Sequence, residues 1–212
     1  MGVSCIIRCR DEEQWIGHSI QSFIDFFPDG QIVIVDNNSS DESMEIAKLF
    51  DYFDIDFINI DDYTPGKSLN LAVKKCKYDN ILILSAHCVL KHVNVEMLLG
   101  ELKKYPCVFG KQTPFFKGKR ITRRYIWSHF NEGRIENMFS KQESRYFLHN
   151  AMCAYTKKIL NEIPFDERLC GKEDRYWADD LVKSNMKYLY DSEILRCDHH
   201  YTGNGSTWKG VG

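Results

Sequence analysis

The sequence predicts an α/β fold in which a mixed, mostly parallel sheet is flanked by helices. Three observations carry that prediction. Short continuous apolar runs at 3–7, 32–35 and 81–84 have the character of strands buried on both faces. The stretches between them place apolar residues at helical spacing. Turn-forming clusters such as Pro28-Asp29-Gly30 and Thr64-Pro65-Gly66 punctuate the two kinds of segment. Strands alternating with helices in this way build parallel sheets through right-handed crossovers.

Taken in order, Val3-Ser4-Cys5-Ile6-Ile7 is the first buried strand. Asp11-Glu12-Glu13 then gives an acidic start, suited to the positive end of a helix dipole, to a helix carrying Trp15, Ile16, Ile20, Phe23, Ile24 and Phe27. The second strand, 32–35, runs into Asp36-Asn37-Asn38-Ser39-Ser40-Asp41, residues that form Asx and Ser/Thr turns and cap helices. A helix over 41–50, a strand over 56–60, a helix over 67–75 and a strand over 81–84 complete the regular half. Beyond it the spacing predicts a helix over 93–104 and a strand over 107–110. The polar and aromatic stretch 120–145 suits a helix or a mobile excursion, and 147–150 and 152–155 return to the core. Lys172-Glu173-Asp174 opens a helix through Trp177, Leu181 and Val182; strands near 186–190 and 194–197 precede a Gly-rich tail.

A chain of 212 residues with no linker, repeat or low-complexity tract reads as one domain, 1–212. Its abrupt end at Gly210-Val211-Gly212 reads as the cut end of a longer protein. The net charge of −2, from 28 basic and 30 acidic residues, argues against a nucleic-acid partner. The basic clusters Lys117-Gly118-Lys119-Arg120 and Arg123-Arg124 read as solvated surface. Eight scattered cysteines without a C-x-x-C pair point to free thiols in a reducing compartment. A first strand beginning next to Met1 leaves no room for a signal peptide, and no apolar run approaches the ~20 residues of a membrane span. These features predict a cytoplasmic protein.

Chemistry is expected at the carboxyl ends of the strands, where open α/β sheets bind ligands. The chain lacks both G-x-G-x-x-G and a phosphate loop ending in Gly-Lys-Ser/Thr, which excludes the common dinucleotide and ATPase motifs. Asp36, ending the second strand, can accept a hydrogen bond from a nucleobase, and Lys67 or Arg10 can offset phosphate charge. The strand 81–84 ends in Ser85-Ala86-His87, and His87 is a candidate metal ligand or else an ordinary surface histidine. Asp198-His199-His200 can supply its partner, or form a polar turn. Glu173 and Asp174 are candidates for proton transfer, or else match the dipole of the helix that they begin. Adjacent carboxylates at a helix start point to different sides, so only one need face a pocket.

In this order the segments resemble the GT-A glycosyltransferases of family 2, over about residues 3–200. The residues carrying the resemblance are 3–13, 34–41, Pro65-Gly66-Lys67-Ser68-Leu69-Asn70, Leu84-Ser85-Ala86-His87, and Glu173-Asp174 with Trp177. The resemblance implies a GT-A (Rossmann-like) fold, a nucleotide-sugar donor, usually with UDP, and a divalent metal on its phosphates, manganese preferred and magnesium the alternative. It implies that Asp36 reads the uracil-ribose end. Arg8, Arg10 and Glu12 would flank the nucleoside, and Lys67, Asn70, Ser85 and Ala86 would line the donor. Asp174, or else Glu173, would be the general base of an inverting transfer. Where the family has Asp-x-Asp this chain has Ser85-Ala86-His87, so His87 takes the last ligand position, Ser85 brings no carboxylate, and His199 or His200 completes the site. The opening is also similar to chlorella-virus glycosyltransferase domains that build capsid glycans, which implies a glucose or deoxy-sugar (rhamnose) donor and a host-cytoplasm setting. The expected acceptor is an oligosaccharide or a glycoprotein glycan, its side of the cleft shaped by 120–145 and the region of Asn150. Rival readings are a nucleotidyltransferase, which would release pyrophosphate, and a non-catalytic nucleotide-sugar or glycan-binding module.

Overall fold

The computed structural model describes residues 2–121 and 124–201. The Gly-rich tail and Arg123 lie outside the described residues. β1 (Val3–Cys9), β2 (Gln31–Asp36), β3 (Ile55–Asn59) and β4 (Asn80–Ser85) are joined by helices α1 (Ile16–Phe26), α2 (Ser43–Lys48) and α3 (Pro65–Lys75). They lie parallel in the order β3-β2-β1-β4. The sequence pattern reads this half because its central strands are covered on both faces, so every residue of 3–7, 32–35 and 81–84 is buried.

After β4 come β5 (Cys88–Val93), α4 (Val95–Glu101), β6 (Cys107–Phe109), β7 (Lys111–Phe116) and β8 (Lys119–Arg120). Then follow β9 (Arg134–Glu136), β10 (Phe139–Ser140), β11 (Arg145–Tyr146), β12 (Met152–Thr156), α5 (Lys157–Glu162), α6 (Glu173–Lys183), β13 (Leu189–Asp191) and β14 (Leu195–His200). Among the described residues the main sheet has eight strands in the order β3-β2-β1-β4-β12-β6-β13-β9, with β12 antiparallel to both its neighbours. A second sheet, β5-β14-β7-β8, runs beside it.

Three expectations are corrected here. The predicted helix 93–104 is shorter, because Cys88–Val93 is drawn out as a strand against β14 and the helix waits for Asn94 to cap the Met97 N–H at 3.1 Å. Of the two alternatives for 120–145, the helix does not form among the described residues; they hold one 3-10 turn (Tyr125–His129) and short strands, β9 pairing with the distant β13 and β10 with its neighbour β11. The last strand runs on through His200, so Asp198-His199-His200 is strand rather than turn.

Alternation along β1 sorts the core into two layers. Ile6 packs with Val33, Ile83, α3 and α6, whereas Cys5 and Ile7 pack with Ile34, Leu82, Leu84 and α1. α1 buries Ile16, Ile20 and Phe23 completely. Truncating one such aromatic, Phe23, to Ala would cost about 3–5 kcal/mol. The start of α3 sets the next loop. Thr64 Oγ1 caps the Lys67 N–H at 3.1 Å and its own hydroxyl donates to Glu167 O at 2.8 Å. A Cβ on Gly66 would lie 2.5 Å from Asp166 O, so only glycine lets 165–167 approach. Asn70 completes the staple, accepting the Phe165 N–H at 3.0 Å and donating to Phe165 O at 2.9 Å. The segment that leads into α6 is thus fixed to α3.

Candidate active site

A cleft of about 340 Å³ opens at the carboxyl ends of β1 and β4, under the N-terminus of α6. β1 brings Arg8, Cys9, Arg10 and Glu12 to it, and β4 brings Ser85 and His87. His199 enters from β14, His149 and Asn150 from the turn before β12, and Glu173, Asp174 and Arg175 from α6. Cys170, Gly171 and Lys172 form the rim. Lys172 caps α6 in the left-handed region (φ 59°), a conformation that costs a non-glycine residue about 1 kcal/mol.

Two imidazoles face each other, with ring centroids 5.0 Å apart. His87 Nδ1 lies 2.7 Å from Glu12 Oε1; a carboxylate only accepts, so Nδ1 donates to it and Nε2 is the ring nitrogen left for a ligand. His199 Nδ1 lies 3.2 Å from Gln112 Oε1, and that amide is oriented by its own nitrogen donating to His149 O at 3.3 Å. His199 Nε2 is therefore also left as an acceptor, and it is buried without a partner among the described residues. Burial holds His199 well below the ordinary imidazole range, so it is neutral. Two imidazoles, each oriented through its remote nitrogen, are the arrangement that metal sites use. Donor atoms of His87, Cys88 and His199 lie within 4.8 Å of one another. Cys88 is fully buried and its thiol is pushed up, chiefly by burial and then by neighbouring Cys197. The residues present thus fit a divalent cation held by two imidazoles, with room for oxygen ligands from a guest.

His200 does not join them through its side chain, which corrects its reading as a metal ligand. Successive residues of a strand face opposite ways. Its ring stacks on Trp15 (3.6 Å, 9°) and Phe115 (5.5 Å, 24°) in a neighbouring cleft. Only its backbone serves the site, the N–H donating to His87 O at 2.9 Å.

The two carboxylates of α6 both line the cleft and both are buried, where one alone would have sufficed. They straddle the open end of the helix, and each has its own cation. Arg8 donates to Glu173 Oε1 at 3.1 Å. Arg175 Nη1 reaches both oxygens of Asp174 at 2.9 Å, and the Asn150 N–H donates to Asp174 Oδ2 at 2.9 Å. Burial raises Glu173 above the usual carboxylate range despite Arg8, with Asp174 adding to the rise. Asp174 is also penalised by burial, but Arg175, then His149, hold it below that range.

The remaining predicted residues sit as follows. Arg10 is exposed and lines the cleft. Asp36 is turned into its own loop, accepting from Ser39 N (3.2 Å) and Ser39 Oγ (2.6 Å), while its neighbour Asn37 lines the cleft. Ala86 is core. Lys67 pairs with Asp62 at 2.7 Å, and Asn70 is the staple of 165–167; neither lines the cleft. Sequence reasoning did not single out Gln112, His149 or Arg175. Burial pushes His149 down to about 3, and its Nδ1 has no partner among the described residues. Gln112 meets His149 O from 37 residues away, so no local pattern marks that pair, whereas Arg175 adjoins Asp174 in the sequence and could have been read as its counter-charge.

The family described as "Glycosyl transferase family 2" matches residues 4–164. The chain is 27% identical over 191 residues to the O-antigen chain rhamnosyltransferase RfbN of Salmonella typhimurium, covering 83% of this chain and 59% of that protein. It is 23% identical over 184 residues to the O-antigen chain rhamnosyltransferase WbaN of Salmonella anatum, covering 81% and 58%. Among solved structures, S. aureus TarS 1–349 in complex with UDP-GlcNAc superposes with a TM-score of 0.73 at 18% identity, over 97% of this chain and 60% of that one. GalNAc-T7 with UDP, GalNAc and Mn2+ gives 0.71 at 15% identity, over 97% and 45%. The structures share the fold, and the chain spans about three fifths of the length of the curated rhamnosyltransferases.

Proposed function

The chain belongs to glycosyltransferase family 2, and on that premise we propose that it moves a sugar from a UDP-sugar to a hydroxyl of a glycan acceptor, with inversion. One observation carries the reading: a carboxylate pair and an oriented imidazole pair line the same cleft at the carboxyl ends of β1 and β4. The carboxylates are each balanced by a guanidinium, Arg8 on Glu173 and Arg175 on Asp174, so this wall offers a diphosphate little surplus positive charge. His87 and His199 would hold a divalent cation, manganese preferred and magnesium the alternative, which would supply positive charge against the leaving diphosphate.

The chain's own residues do the rest. Arg10 and Asn37 hold the UDP moiety from the ends of β1 and β2, with Asp36 shaping the loop that carries Asn37. Glu12 fixes the tautomer of His87. Asp174 takes the proton of the acceptor hydroxyl as that oxygen attacks the anomeric carbon, and Arg175 and the Asn150 N–H keep it ionised and aimed. The RfbN and WbaN names support a deoxy-hexose donor such as rhamnose, with glucose the other candidate. Residues 1–212 act as one domain, and eight free cysteines suit a cytoplasmic setting. No helix among the described residues is long and apolar enough to cross a membrane.

The test is UDP release from UDP-rhamnose, UDP-glucose and UDP-GlcNAc, with and without manganese, in the presence and absence of glycan acceptors. Ion-dependent release supports the reading. Binding without any turnover would leave a nucleotide-sugar-binding module, and pyrophosphate release would mark a nucleotidyltransferase.

A further inference from the structure

The turn before β12 carries a group that the transfer as described leaves unused. Asn150 is 2% exposed and lines the cleft, yet its side-chain nitrogen has no partner among the described residues. Its other polar groups are committed. The backbone N–H donates to Asp174 Oδ2, and Oδ1 accepts from the Tyr155 hydroxyl. Tyr155 is itself wholly buried in β12, its ring edge-on to Trp177 and Phe165. The amide is therefore held one way round, with oxygen toward the core and its two N–H bonds left over. A buried amide donor without an acceptor is costly, and such groups are retained where a guest supplies the missing oxygen.

We propose that Asn150, expected from the sequence on the acceptor side of the cleft, instead reads a hydroxyl of the donor sugar through Nδ2, and that Tyr155 is the positioning residue that aims it. The inference rests on the donor reading above and names the side chain that sets sugar choice within it. One residue then ties two tasks together. Its backbone orients the carboxylate that accepts the proton, and its side chain orients the sugar beside that carboxylate. Selectivity follows from the same chemistry: a sugar lacking the matching hydroxyl leaves the amide unpaired, and sites built to bond a hydroxyl reject such analogues strongly.

The experiment compares wild type, Asn150→Ala and Tyr155→Phe, with affinities for UDP and for UDP-rhamnose, UDP-glucose and UDP-GlcNAc measured by titration, and transfer rates for each sugar. Asn150→Ala keeps the backbone N–H and with it the bond to Asp174. It should lower affinity for the preferred UDP-sugar about 10-fold, leave UDP affinity within about 2-fold, and shrink the rate preference among sugars by about 10-fold. Tyr155→Phe, which keeps the ring and frees the amide, should move both readouts the same way by a smaller factor. Unchanged discrimination in Asn150→Ala overturns the proposal, as does an equal loss of UDP and UDP-sugar affinity, which would mark a merely structural role. Should Asn150→Ala not fold, retained discrimination in Tyr155→Phe overturns it. Wild-type protein that uses no UDP-sugar would overturn the donor reading itself, a result distinct from either.

Discussion

Asp174→Asn tests the proton-transfer assignment, and the structure says what else it disturbs. The carboxylate accepts from Arg175 Nη1 on both oxygens, from the Arg175 N–H and from the Asn150 N–H, all at 2.9 Å. An amide keeps one acceptor and turns a donor nitrogen toward these donors. It also leaves the buried Arg175 with Glu143, 3.6 Å away, and the Phe147 ring, 4.8 Å away, as its remaining support. Removing one partner of a buried ion pair costs about 3–5 kcal/mol, and Glu143 should hold the loss near the lower end. For a domain of this size that is a fall in Tm of about 6–12 °C. Most such domains have about 5–15 kcal/mol to lose, so the variant stays folded at 25 °C. Turnover should fall much further, by about 100- to 10,000-fold, because the acceptor hydroxyl has lost its base. UDP affinity should hold. A second variant, Asp174→Asn with Arg175→Met, removes the stranded charge and should recover much of the Tm without recovering turnover. Thermal unfolding, UDP titration and UDP-release kinetics read the three effects separately. Wild-type turnover in Asp174→Asn would refute the assignment, and so would recovery of turnover in the double variant.

Other substitutions probe the supports. Gln112→Ala frees the remote nitrogen of His199 and should weaken manganese binding in the presence of UDP by about 10- to 100-fold, whereas His200→Ala should not, both by calorimetric titration. Gly66→Ala pushes a Cβ against Asp166 O and should cost about 1–3 kcal/mol, read as a lower Tm, with a loss of turnover as 165–167 and α6 move off α3. Burial keeps the His129 ring, stacked on Phe147 at 4.0 Å, below the ordinary histidine range. The unfolded chain therefore binds a proton first as pH falls below about 6.5, so stability contributed by this neutral ring is full above that pH and is lost below it. His129→Gln should flatten that limb of a Tm-against-pH profile.

Much of the fold of the first ninety residues was legible because its signal is local. Ile6, Val33 and Ile83 belong to short apolar runs buried on both faces, where the one polar residue, Ser4, is matched by its bond to Gln31 at 2.7 Å. The acidic pair Glu173-Asp174 announced a helix start, and α6 begins at that residue. The stretch 120–145 was not legible, since β9 exists only through pairing with β13, some fifty residues on. Among the histidines, the triplet 198–200 pointed to the right strand end, but choosing His199 over His200 needs the strand to continue through it, after which alternation decides. Lys67 and Asn70 sit at the start of α3, where a Thr-Pro-Gly lead invites a phosphate-binding reading. In the folded chain Asn70 spends its amide on a distant loop, a use that no spacing reveals.

The cysteines offer a practical handle. Seven are buried, with burial raising Cys9 and Cys76 to about 12, and Cys170 alone is exposed, on the rim of the cleft beside the carboxylates. Thiolate reagents discriminate by access and ionisation. A maleimide dye should therefore label the native chain at one place without any engineered site. Attached there it reports occupancy by fluorescence, and a nucleotide sugar that fills the cleft should slow the labelling itself. The protein carries its own binding sensor.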